Sequence, residues 1–244
     1  MSMFKSLSAE AGAEILSAMR SPSYMIPTLV FPIAFYALFG LVLTQGREMT
    51  AYLLATYGVF AVMGPSIFGF GVTVAAERER GWLQLKQISP TPALGFVFGK
   101  FITTLLFSGI ILALLYCTAA YGGIAMPRVV WASLLGVHLL AIFPMLLIGL
   151  SIGLLLRSNA ALAVANIVFM GLAILGGLWM PVSVYPEAMQ NIAKLLPSYH
   201  LAEISLAVSQ APGERNILGN LIPVVVATVL LLGLVMVSWN RQKK

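Results

Sequence analysis

Six apolar stretches, each about as long as a bilayer is thick, run through this chain with almost nothing ionisable inside them. They lie near Tyr24–Leu43, Ala51–Ala75, Gly99–Tyr121, Val129–Leu156, Ala160–Met180 and Leu221–Trp239. A helix advances about 1.5 Å per residue, so about 20 residues cross a hydrocarbon core. In lipid every backbone N–H and C=O must be satisfied within the segment, and helices do this. The expectation is an all-α membrane protein of six transmembrane helices. Composition leaves no soluble alternative, since 60% of the 244 residues are hydrophobic and 9% are charged, too few to clothe a water-facing surface.

Orientation follows from the basic residues. With both termini cytoplasmic, the inner side holds Lys5, Arg20, Arg78, Arg80, Lys86, Lys100, Arg157, Arg241, Lys243 and Lys244, and the outer side only Arg47, Arg128, Lys194 and Arg215. The net charge of +6 is therefore read as a topology signal rather than a nucleic-acid footprint. A plasma (inner) membrane protein with multiple passes is expected.

Residues 1–22 contain no apolar core of a cleavable leader before Arg20. On a helix, Phe4, Leu7, Ala11, Ile15, Ala18 and Met19 share one face while Lys5, Glu10, Glu14 and Arg20 point away, the pattern of an interface helix. Residues 23–244 form the six-span domain.

Several chemistries are excluded by inventory. All 8 acidic residues are Glu, there is one cysteine, Cys117, and the two histidines, His138 and His200, are far apart. Neither a metal site nor a catalytic constellation is expected. Residues 95–100 read GFVFGK, one residue short of a phosphate-binding loop and followed by Phe101, so ATP is not expected to bind this chain. His138 is expected to be a core residue bonded to a backbone carbonyl.

The densest charge, Glu77, Arg78, Glu79 and Arg80, continues the second span into water, where Glu77 and Arg80 are spaced to pair and Gly81 suits a helix end. The next residues, Trp82 to Ser89, are two turns of mixed polarity closed by Pro90 and Pro92, too short to cross a membrane. A plain anchoring role for this loop, residues 76–92, is the competing reading.

The string ERERGWLQLKQISP, followed by an apolar stretch ending in Gly99 and Lys100, resembles the loop between the second and third spans of ABC transporter permeases of the type-2 export class. That resemblance implies a coupling segment for a separate cytoplasmic ATPase subunit, present in two copies, carried by Glu77, Arg78, Glu79, Arg80, Gly81, Trp82, Leu83, Leu85, Ile88 and Pro90. ATP and Mg would belong to that partner, with no cofactor in this chain. It also implies a second permease copy or a paralogue, and an interfacial N-terminal helix beside the coupling segment. Gln84, Lys86 and Gln87 depart from the family's usual pattern and bear on the detailed contacts.

Residues 181–219 form an outer segment too long for a turn and too apolar for disorder. Pro186 is placed to begin a short helix and Pro197 to end it, with a second apolar segment at Tyr199–Val208. Together with Pro181 this resembles the same family's re-entrant cap. His200 and Glu203, one turn apart, are the cap's candidate polar pair, with simple solvation as the alternative.

Spans two and five carry Tyr57, Phe60, Met63, Phe68, Asn166, Phe169 and Met170. In the family these spans flank the route, and uncharged aromatic walls suit a hydrophobic or amphiphilic molecule. Pro65 would loosen span two. The alternative functions are a self-sufficient secondary carrier or channel, disfavoured by the scarcity of mid-membrane charge, and a non-transporting scaffold.

Overall fold

A computed structural model describes residues 3–43, 47–81 and 93–242. No strand occurs among them. The chain opens with α1 (Met3–Met19), then α2 (Pro22–Phe35), which runs on as a π-helical stretch over Tyr36–Val42. The second hydrophobic unit is α3 (Arg47–Gly64), a π-helical stretch Pro65–Val72 and α4 (Thr73–Glu79). Next come α5 (Ala93–Tyr121), α6 (Arg128–Leu155) and α7 (Ser158–Leu175). A 3-10 turn at Val182–Val184 leads to α8 (Glu187–Ala193) and α9 (Pro197–Val208), and α10 (Ile217–Arg241) closes the chain.

Among the described residues, five helical units are long and apolar enough to cross a membrane: Glu48–Glu79, Val97–Tyr121, Arg128–Leu155, Ser158–Leu175 and Ile217–Arg241. A sixth apolar helix, Ile26–Val42, is shorter. The second unit is the axis of the bundle, with 72% of its apolar window buried against 17% for the last helix. α3 packs on α5, α6 and α9, and α10 leans on α6 and α9. The outward faces of α5, α7 and α10 carry Leu114, Ile167, Val229 and Leu230 exposed, as lipid permits.

The second π-helical stretch, Pro65–Val72, lies backbone to backbone against α6. Pro65 lacks an N–H, which opens the turn. Ser66 Oγ donates to the Val62 carbonyl at 2.7 Å and Thr73 Oγ1 to the Gly69 carbonyl at 2.7 Å. Span two is thus widened at Pro65 without being interrupted. Gly149 and Gly153 of α6 lie directly on this stretch. A Cβ at Gly149 would strike the Ser66 carbonyl, and one at Gly153 the carbonyl of Gly71. The spacing of four residues puts both glycines on one face, and their bare backbones let two helices touch through main chain. The pair serves packing within the chain.

Candidate functional site

The end of the bundle where α1, α4 and α5 meet is organised by a lysine. Lys100, 3% exposed, extends from α5 into a gap between α1 and α4. Its Nζ lies 2.9 Å from Glu14 Oε2, 2.9 Å from Glu77 Oε1 and 3.2 Å from Thr73 Oγ1. Three donors meet three acceptors from two other helices, the full capacity of an ammonium. Sequence reasoning used Lys100 as a topology signal and as the end of the family-like string, not as a buried ion-pair partner. Its burial could have been suspected from its position inside an apolar run.

This arrangement corrects the reading of α1. Glu14 does not point away; it joins Leu7, Glu10, Ala11, Ile15 and Ala18 on the side turned to the protein, with Ala11 buried and Leu16 and Met19 exposed. Acidic and apolar stripes lie side by side on the helix, and Lys100 supplies the countercharge that makes burying Glu14 tolerable. The Glu77–Arg80 pairing is replaced for the same reason: Glu77 takes Lys100, which lies deeper than Arg80. Arg78 donates to the carbonyls of Leu154 and, at 2.6 Å, Leu156, capping the C-terminal end of α6. Gln242 Nε2 donates to the same Leu154 carbonyl at 3.2 Å. Glu79 and Arg80 are exposed. Gly81 has φ +76, the left-handed conformation that ends a helix readily only at glycine. Trp82, Leu83, Leu85, Ile88 and Pro90 lie outside the described residues. The charge cluster therefore divides into two structural members, Glu77 and Arg78, and two that face outward.

A groove of about 580 Å³ opens between α2, the π-helical stretch of span two and α7. Phe60, Phe68, Asn166, Phe169 and Met170 line it together with residues of α2, including Thr28 and Phe31, and no lining residue is ionisable. Phe169 sits between Phe60 and Phe68, with ring centroids 5.2 Å from each. Trp179 meets Phe60 edge-on at 5.7 Å. Asn166 satisfies one amide hydrogen by donating to the Leu162 carbonyl at 2.9 Å. Five of the seven candidate path residues thus share one wall. Tyr57 and Met63 do not reach it; both are buried in the core, Tyr57 against Tyr36 and Phe60. On α3 they face the neighbouring helices, a distinction that helix periodicity alone does not make in a helix apolar all round. The contribution of α2 was missed, because nothing in its sequence marks which neighbour it meets.

In the segment before the last helix, Pro181 precedes the 3-10 turn, Pro186 caps α8 and Pro197 opens α9 at its first turn. Pro197 thus starts the second helix, while the first stops three residues earlier at Lys194. His200 and Glu203 do not pair. His200 lies between Asn220 and the Lys194 carbonyl, and Glu203 faces Arg215 at 3.1 Å. Tyr199 beside them is held above its ordinary pKa by burial and then by Glu203, so its phenol stays neutral. His138 is the core residue expected: its Nε2 faces the Ala55 carbonyl at 2.9 Å and its Nδ1 the Tyr116 hydroxyl at 2.8 Å.

A family model described as ABC-2 type transporter matches residues 6–209, from α1 through α9. The chain belongs to the ABC-2 type transporter family. A Bacillus subtilis (strain 168) protein named "Putative transport permease YvfS" is 30% identical over 220 residues, covering 87% of this chain and 89% of that one. The match spans the Lys100 cluster, the aromatic groove and α8 and α9 alike, and stops before α10. The ABC-2 family places the chain in membrane transport, as the permease component of an ABC transporter that works with an ATPase partner.

Proposed function

We propose that this chain is the transmembrane half of an ATP-driven exporter, moving a hydrophobic or amphiphilic molecule out of the cytoplasm or inner leaflet. ATP, with Mg, is hydrolysed by a separate cytoplasmic subunit present in two copies, and the permease pairs with a second copy or a paralogue. The unbroken helical run over residues 22–42 reaches roughly 30 Å and serves as a sixth span, which puts both ends of the chain on the cytoplasmic side of the plasma membrane. The cap of α8 and α9 then dips into the outer leaflet without crossing.

The observation that carries this reading is the uncharged aromatic groove, about 580 Å³ and bordered by the widened turn of span two. A wall of phenylalanines with one amide and two hydroxyls, Asn166, Thr28 and Thr73, offers an amphiphile burial and a few polar contacts, but gives a bare ion too little to replace its water. A carrier driven by an ion gradient needs ionisable groups beside its cargo. Lys100 links α1 to α4, the helix that leads along the chain into the segment from Trp82 to Ser89, which we assign to ATPase docking.

The test is recovery of an ABC-class ATPase with the tagged permease extracted from its own membranes. Deleting Trp82 to Ser89 is expected to abolish that recovery with the chain still inserted. Equal recovery from the deleted chain rejects the assignment, and transport by the purified permease without nucleotide rejects the exporter.

A further inference from the structure

His200 is buried near the start of α9, and both of its ring nitrogens face oxygens. Nδ1 lies 2.8 Å from Asn220 Oδ1 on α10, and Nε2 lies 2.9 Å from the carbonyl of Lys194 at the end of α8. A carbonyl only accepts. The Asn220 amide is oriented by its other end, since Nδ2 donates to the Asn216 carbonyl at 2.9 Å. Turning that amide over would set two oxygens against each other.

A neutral imidazole carries one N–H and one lone pair. In this setting it fills one contact and points its lone pair at an oxygen in the other. An imidazolium donates to both. The contrast with His138 is direct, because there the second partner is the Tyr116 hydroxyl, which can donate, and a neutral ring is fully satisfied.

We propose that His200 is held as an imidazolium whose two hydrogen bonds latch the cap, α8 and α9, to the last helix, so that pH on the cap's side sets how firmly the cap is held. That this side is the outer one rests on the exporter reading; the latch itself does not.

The ionisable groups facing this region are few. Tyr199 lies edge-on to the ring at 5.1 Å, and Glu203, one turn along α9, is engaged by Arg215. α3 contributes Glu48 and Tyr52, which share the outer cleft with Lys194, Tyr199, Glu203 and Arg215. α6 contributes Arg128 and the already paired His138, α7 has no ionisable residue, and that of α10, Arg241, is at the far end. No carboxylate bonds His200, so its charge is held by a carbonyl and an amide alone. Protonation binds the cap more tightly, because only the imidazolium donates to both oxygens.

The experiment uses the full chain in lipid nanodiscs, without any ATPase, so its outcome is independent of ATPase docking. Histidine is selectively nitrogen-labelled, and the two ring systems are followed by NMR across a pH series. One histidine is expected to show both nitrogens bonded to hydrogen at the acid end and to lose one proton on alkalinisation. The other is expected to remain a single neutral tautomer. The signal is assigned by its disappearance in His200→Gln. Hydrogen exchange of residues 187–208, corrected for intrinsic pH dependence, is expected to lose about tenfold in protection across the same titration. In Asn220→Leu, where one acceptor is left and a neutral ring satisfies it, that step is expected to vanish. A wild-type His200 that stays in one neutral tautomer throughout overturns the proposal, as does cap protection that ignores its titration.

Discussion

Replacing Lys100 by methionine isolates the ion cluster of Lys100, Glu14 and Glu77, because the new side chain is of similar length and fills the same apolar stem. Two carboxylates, Glu14 and Glu77, then face each other without their cation, each having lost a 2.9 Å charge-assisted bond. Removing one partner of a buried pair costs about 3–5 kcal/mol. The carboxylates are 15% and 24% exposed, so water recovers part of this and the lower end applies, about 3 kcal/mol. The penalty also has a ceiling, because a stranded carboxylate can take up a proton. From an ordinary glutamate pKa of about 4.3, that uptake costs about 3.7 kcal/mol at pH 7 and about 1 kcal/mol at pH 5. Thermal unfolding in a mild detergent is the assay. At about 2–4 °C per kcal/mol for a chain of this size, K100M is expected to melt about 6–12 °C below the parent at pH 7 and much closer to it at pH 5. The triple variant K100M/E14Q/E77Q, which has no charge to strand, is expected to recover most of the loss. A K100M melting point equal to the parent's, or a triple variant less stable than K100M alone, refutes the account of the cluster as a buried ionic joint.

Three further outcomes follow from the packing and the groove. Gly149→Ala and Gly153→Ala each drive a methyl into main chain, and each is expected to cost about 2–3 kcal/mol, read from the same melting curves, while Gly109→Ala, with open space around it, is expected to cost nothing. His138→Phe keeps the ring's bulk but strands the half-buried Tyr116 hydroxyl and removes a second contact to the Ala55 carbonyl, for about 1–3 kcal/mol, with no dependence on pH between about 6 and 8. Phe169→Ala removes the ring between Phe60 and Phe68 and is expected to weaken binding of an amphiphile, followed by quenching with a brominated probe, at least about tenfold; binding unchanged in F169A separates the groove from any cargo.

The long hydrophobic units were legible because lipid imposes a single requirement, internal satisfaction of the backbone over a fixed thickness, and apolar runs bounded by Lys and Arg report it directly. The loop string from Glu77 to Pro90 and the proline-spaced cap carried the family resemblance, and the family match over residues 6–209 bears it out. The expected first span, Tyr24–Leu43, is a shorter apolar helix, Ile26–Val42, so among the described residues five helices rather than six are long and apolar enough to cross. Which side chains line the groove was legible only by half. Phe60 and Tyr57 are both aromatic residues of one helix, and only the neighbours decide that Phe60 borders the opening while Tyr57 is enclosed.

Sequence by itself determined that this protein is helical, lives in a membrane and belongs among transport permeases, because those properties depend on the order of residue types along one dimension. Tertiary structure decided that Glu14, Glu77 and Lys100 form one ionic joint, that Gly149 and Gly153 meet the widened turn of span two, and that His200 faces two acceptors. Each of these joins residues distant in the chain, and the energy of a charge or a hydrogen bond is set by what lies within about 3 Å of it, which no local pattern records.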